Sequence, residues 1–182
     1  VYQIPAESDA AEGRPVGIEI RFWGVRGPFP VPGPSTLRYG GNTSCVEIRT
    51  AGGTNLVLDC GTGARMLGEE LARDFPKGLE ASFLFGHTHW DHIQGFPFFR
   101  PLFMKGNRFR VYAPGGADKR LSDILAGQME YAYFPVRLDQ LQAQRGSLGR
   151  VVAQQVGRGV EIRDDEVQVA VAVEVRGRRG AR

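Results

Sequence analysis

Ala81-Ser82-Phe83-Leu84-Phe85-Gly86-His87-Thr88-His89-Trp90-Asp91-His92 is the stretch on which the reading of this chain turns. Ala81 to Phe85 is a short apolar run, best read as a buried strand that delivers the chain to His87. All three histidines of the protein then fall within six positions. His87 and His89 are two apart, so in an extended segment they point to the same side and can chelate one ion together. Asp91 and His92 follow at the turn into a short helix, where adjacent side chains diverge and can reach a second ion. Imidazole with carboxylate suits zinc, manganese or iron. Two such ions about 3.5–4 Å apart can clamp both oxygens of a displaced phosphate ester. A surface loop that merely carries histidines is the plainer alternative. A single histidine would favour it, whereas four potential ligands directly after an apolar strand favour metal.

Working outward, Ile18, Ile20 and Phe22 alternate with Glu19 and Arg21, the pattern of a half-buried strand. Gly24 to Gly41, with four prolines, reads as a long loop, and long ordered loops often serve a site. Cys45 to Arg49 and Leu56 to Asp59 read as a hairpin around 51–55. Thr62 to Phe75 carries Ala64, Leu67, Leu71 and Phe75 at helical spacing, with Pro76 beyond. Phe109 and Val111 mark a further strand, and Ala117 to Met129 a helix. The signal then weakens until Val167, Val169, Val171, Val173 and Val175, which alternate without a break. Interleaved strands and helices predict an α/β layered class.

Composition bounds the rest. The 182 residues suit one domain, and 42% apolar with 24% charged residues is ordinary for a globular protein. No segment approaches the roughly 18 apolar residues of a membrane span, and none reads as a signal peptide, so no membrane partner and a cytoplasmic location are expected. The net charge of +3 is concentrated in the last seven residues, which carry four arginines, and gives no case for nucleic-acid binding. Cys45 and Cys60 have no metal or redox spacing and read as small buried residues on neighbouring strands. Gly61-Thr62-Gly63 is not a phosphate loop, since no Gly-Lys-Ser/Thr follows. Trp90, Phe96, Phe98 and Phe99 are expected mainly to pack the core.

The run His-Thr-His-Trp-Asp-His resembles the HxHxDH signature of the metallo-β-lactamase superfamily. Leu56 to Gly63 resembles the strand-end Asp and glycine turn that precede this signature. Phe22 to Gly27 and Arg38 to Cys45 resemble the opening of its phosphodiesterase-like branch, near ribonuclease Z and class II-type cyclic-nucleotide phosphodiesterases. The resemblance covers roughly residues 17 to 140. It implies an αββα sandwich over residues 17–175, preceded by an arm at 1–16 and followed by a basic tail at 176–182. It implies two divalent ions, zinc above manganese or iron, with His87 and His89 on the first and Asp91 and His92 on the second. The implied activity is hydrolysis of a phosphodiester, in a small molecule, cyclic nucleotide or RNA-like substrate, by a metal-bound hydroxide that Asp91 orients. Asp59 would hold the histidine loop from behind, and Arg26 and Asn42 are the candidate substrate-binding residues. A homodimer is compatible with the pattern. Hydrolysis of another ester or thioester, and a truncated remnant that binds metal weakly, are the alternatives.

The chain departs from that pattern downstream. No histidine follows His92, and Asp118, Asp123, Asp139, Asp164 and Asp165 sit in no matching motif. The strand-like Val167 to Val175 leads into Arg176-Gly177-Arg178-Arg179-Gly180-Ala181-Arg182 rather than a His-Pro-Gly-type segment. The expectation is a truncated or frameshifted chain that contains only the first part of the fold and leaves a sheet face uncovered, with a natural basic tail as the alternative.

Overall fold

The computed structural model describes residues 2–3, 17–114, 119–141, 143 and 151–156. One mixed sheet runs through it in sequence order: β1 (Tyr2–Gln3), β2 (Ile18–Gly24), β3 (Cys45–Thr50), β4 (Asn55–Leu58), β5 (Glu80–Leu84), β6 (Arg108–Pro114) and β7 (Val151–Val156). Strands β1 to β4 are antiparallel to their neighbours, and β4 to β7 are parallel. The switch falls where it must. The hairpin between β3 and β4 needs only a short turn, whereas the parallel pairs need crossovers, supplied by α1 (Ala64–Asp74), α2 (Trp90–Ile93) with two 3-10 turns, and α3 (Leu121–Gln128). None of these described helices is long and apolar enough to cross a membrane.

The helical side of the sheet holds the core. Val57, Phe83, Phe109 and Val111 are fully buried there, against Leu67 and Leu71 of α1, Phe96, Phe99, Leu102 and Leu125. Phe83 sits at the centre, with its ring centroid 5.1 Å from Phe99 in an edge-to-face pair and 5.9 Å from both Phe96 and Phe109. The strand expected at Ala81 to Phe85 is present one residue earlier, at Glu80–Leu84, and the helix expected at Thr62 to Phe75 is present but begins two residues later and ends one earlier, at Ala64–Asp74.

The strand β2 carries its alternation the other way round. Arg21, not Ile20, faces the helices and pairs with Glu70 of α1, while Glu47 is buried and accepts hydrogen bonds from Trp23 Nε1 (3.0 Å) and Arg49 Nε (2.5 Å). The register pairs Ile20 with Ile48, Phe22 with Val46, Val46 with Leu58, Ile48 with Leu56, and Leu58 with Leu84, so these apolar residues share the face opposite the core. None of them belongs to the core cluster; Ile48 (7%) and Leu56 (6%) are nonetheless buried, whereas Ile18 (40%) and Leu58 (36%) are exposed. Trp90 and Phe98, expected to pack inside, are also exposed, at 81% and 57%; Phe96 and Phe99 are the two that enter the core. The segment Val167 to Val175 and the basic tail lie outside the described residues.

Candidate metal centre

The parallel pairing of β4 with β5 fixes the location of the site. Leu58 pairs with Leu84, so the chain leaves both strands side by side at their C-terminal ends, the usual place for a ligand site on a parallel sheet. Asp59 leaves β4, and Gly86 to His92 leave β5. Asp59 adopts a left-handed backbone with φ of 57°, the only described non-glycine residue with positive φ. Asp tolerates this region better than most residues. The turn aims its carboxylate sideways across β5: Oδ1 accepts from the Gly86 N–H (2.8 Å), and Oδ2 accepts from Ser44 Oγ (2.8 Å). The same Oδ2 lies 2.7 Å from His92 Nδ1. It stands off the line of the ring N–H, so that contact is a close approach rather than an aligned hydrogen bond.

The histidine loop is clamped to the turn after β4. The Cys60 N–H donates to the His92 carbonyl (2.6 Å), and the Gly95 N–H donates to the Cys60 carbonyl (2.8 Å). A Cβ on Gly95 would strike the Gly61 carbonyl, and one on Gly61 would strike the Asp91 carbonyl, which is why both positions need glycine. Thr43 and Thr62 lock the neighbouring loop by a reciprocal pair of 2.9 Å bonds, each backbone N–H donating to the other's hydroxyl. Gln94 Nε2 adds a 3.3 Å bond to Thr43 Oγ1.

On this frame α2 turns Asp91 and His92 back toward His87. The ligand atoms of His87, Asp91 and His92 all lie within 4.8 Å of one another, the one such group among the described residues. The rings of His87 and His92 have centroids 4.0 Å apart, and His92 Nε2 lies 3.1 Å from Asp91 Oδ2. His89 stands beside them, 4.5 Å from His87 between ring centroids, but is not part of that three-residue group. Partial burial, then the neighbouring imidazoles of His92 and His89, hold His87 below the usual imidazole range, which favours the neutral, ligating form. Two imidazoles and a carboxylate in this spacing match the donor set of a divalent transition-metal ion.

The other expected site residues have structural partners. Arg26 Nε donates to the Gly40 carbonyl (2.8 Å), and Asn42 Oδ1 accepts from Thr62 Oγ1 (3.2 Å); both hold the long loop together. Cys45 and Cys60 are free and fully buried, and burial raises both thiols well above their ordinary range, so they are inert packing residues. Ser44 and Gly86 escaped the sequence reading. The signal that could have found Ser44 is its place at the start of β3, across the hairpin from Asp59. An open groove along α3, lined by Asp123, Glu130, Arg137 and Asp139, lies away from the histidine loop in sequence and assembles no ligand cluster. Comparison with known proteins returns no matching family model, no matching curated protein and no matching solved structure.

Proposed function

We propose that this chain is a metal-dependent hydrolase of phosphodiester bonds, built on the first part of a metallo-β-lactamase-type sandwich. The observation that carries the reading is the convergence of His87, Asp91 and His92 within 4.8 Å at the ends of two parallel strands, with Asp59 behind His92. Those three residues would hold an ion, and His89 is placed to join them or to hold a second. A bound divalent ion supplies an acidified water and draws charge from the phosphoryl oxygens.

The chain's own groups do the rest. Asp91 turns one carboxylate oxygen toward His92, and its other oxygen can take a proton from the attacking water and return it to the leaving group. Asp59 lies against the His92 ring and ties the Gly86 N–H to Ser44, which holds the histidine segment from behind. The loop from Gly24 to Ser44, locked to the site through Thr43, contains Arg26 and Arg38 and no Asp or Glu, which suits an anionic substrate.

A second reading is a chain that binds one ion loosely without turnover. It is favoured by the ending of the cluster at three ligands among the described residues. Hydrolysis assays on zinc- and manganese-loaded protein with bis-p-nitrophenyl phosphate, a cyclic nucleotide and a thioester separate these readings. The proposal expects turnover of a phosphodiester that falls about 10²-fold or more in Asp91→Ala. Turnover of the thioester alone, or no turnover with metal bound, would replace it.

A further inference from the structure

The chain has two tryptophans, and they are held in opposite ways. Trp23 is 7% exposed, and its Nε1 donates to Glu47 (3.0 Å). Trp90 is 81% exposed, and its side chain makes no hydrogen bond or ring contact with any described residue. Its backbone, by contrast, is fixed. Trp90 opens α2, where the His92 N–H donates to the His89 carbonyl (3.0 Å), the Gln94 N–H donates to the Trp90 carbonyl (2.7 Å), and Ile93 is buried in the core. An indole that packs on nothing contributes little to folding, because its apolar surface stays in water. Yet this one stands a single residue, about 3.8 Å of backbone, from Asp91, with His89 on its other side.

We propose that Trp90 is a specificity-determining residue of the metal centre: its exposed indole stacks on a planar ring, a nucleobase or an aryl group, that the phosphodiester substrate carries on one ester oxygen. The inference rests on the hydrolase reading above and adds to it the chemistry of the substrate's organic part. Two features favour a ring over an alkyl chain. An alkyl chain needs a trough of several adjoining apolar side chains, and the sequence neighbours of Trp90 are Thr88, His89, Asp91 and His92, all polar. A stacked ring needs one flat face on a fixed support, and such stacking tolerates any base because every base has a π-face. The indole Nε1–H, without a partner among the described residues, remains a donor for a polar group on the ring's edge.

The test compares Trp90→Leu and Trp90→Phe with the parent full chain, all zinc-loaded, on three phosphodiesters. Cyclic AMP and bis-p-nitrophenyl phosphate carry rings; glycerol 1,2-cyclic phosphate carries none. In Trp90→Leu, KM for a ring-bearing diester is expected to rise about fivefold or more, with a smaller change in kcat. Its preference over glycerol cyclic phosphate, as a ratio of kcat/KM, should fall accordingly, and Trp90→Phe should restore most of it. A response with cyclic AMP alone identifies the ring as a nucleobase, and one with the nitrophenyl ester alone as an aryl group. An equal change for all three diesters, or none, overturns the proposal and leaves the hydrolase reading standing. Turnover of none of them ends the hydrolase reading instead, and stacking is then read from tryptophan fluorescence. Quenching of the parent by cyclic AMP that is lost in Trp90→Leu, where only the buried Trp23 emits, sustains the ring-binding role. No quenching, or equal quenching in both proteins, overturns it.

Discussion

Phe83 and His87 lie four residues apart on one run of chain and meet opposite physical demands. Phe83 is fully buried among four aromatic rings. His87 is exposed, beside two other imidazoles, which disfavour its charged form, and the Asp91 carboxylate. Three imidazoles crowded together are held there by a frame that is stable for other reasons. The strand supplies stability up to Phe85, and the loop after it is held in place by that stability. The aromatic core should therefore govern folding and the histidine loop metal binding, with little exchange between the two.

The comparison is broken most forcefully from the core side. Phe83→Ala is expected to cost about 3–5 kcal/mol in urea unfolding, because the cavity it leaves is lined by rings that cannot collapse into it. A loss below 1 kcal/mol would mean that the aromatic cluster is not the centre of stability. Gly95→Ala probes the seam between the two regions. A Cβ there meets the Gly61 carbonyl, so a loss of about 1–3 kcal/mol is expected, together with weaker zinc binding, since the same seam holds the His92 carbonyl. Unchanged stability would show that the turn after β4 has room to give.

A smaller effect comes from the buried thiols. Burial raises Cys45 and Cys60 in the folded chain, while an unfolded cysteine titrates near about 8.5. Above that pH the unfolded state has released protons that the folded state still holds, so stability falls as pH rises, by at most about 1.4 kcal/mol per pH unit for each thiol. Urea midpoints between pH 7 and 10 should decline above about 8.5, and the double variant Cys45→Ala, Cys60→Ala should show a flatter decline. Equal slopes would place the pH dependence elsewhere. The smallest effect is expected at His89, which is exposed: His89→Ala should shift apo stability by less than about 0.5 kcal/mol.

How much of this could be seen in the sequence depends on how local the signal is. α1 and β5 were legible because periodicity and apolar runs are properties of a few consecutive residues. The strand β7 was not, because Val-Val-Ala-Gln-Gln-Val has no clean period and owes its place to pairing with β6. The alternation in β2 was read, but not which face the helices would cover, since alternation alone treats the two sides of a strand alike. At the site, residue types alone mark the candidate ligands, and their relative placement needs the fold. Reading by spacing pairs His87 with His89, whose rings lie 4.5 Å apart; the turn of α2 also carries His92 and Asp91 back to His87. The reach of Asp59 to Ser44, Gly86 and His92 depends on a left-handed backbone that a strand-end Asp only hints at.

The most direct measurement is zinc binding to the purified full chain, by calorimetry and by metal analysis after dialysis, with His87→Ala, Asp91→Ala and His92→Ala alongside. The account predicts at least one equivalent of zinc in the parent chain and a loss of affinity of tenfold or more in each variant, with urea midpoints of the metal-free proteins nearly unchanged for His87→Ala. A parent chain that holds no zinc, or variants that bind it as tightly as the parent, would contradict it.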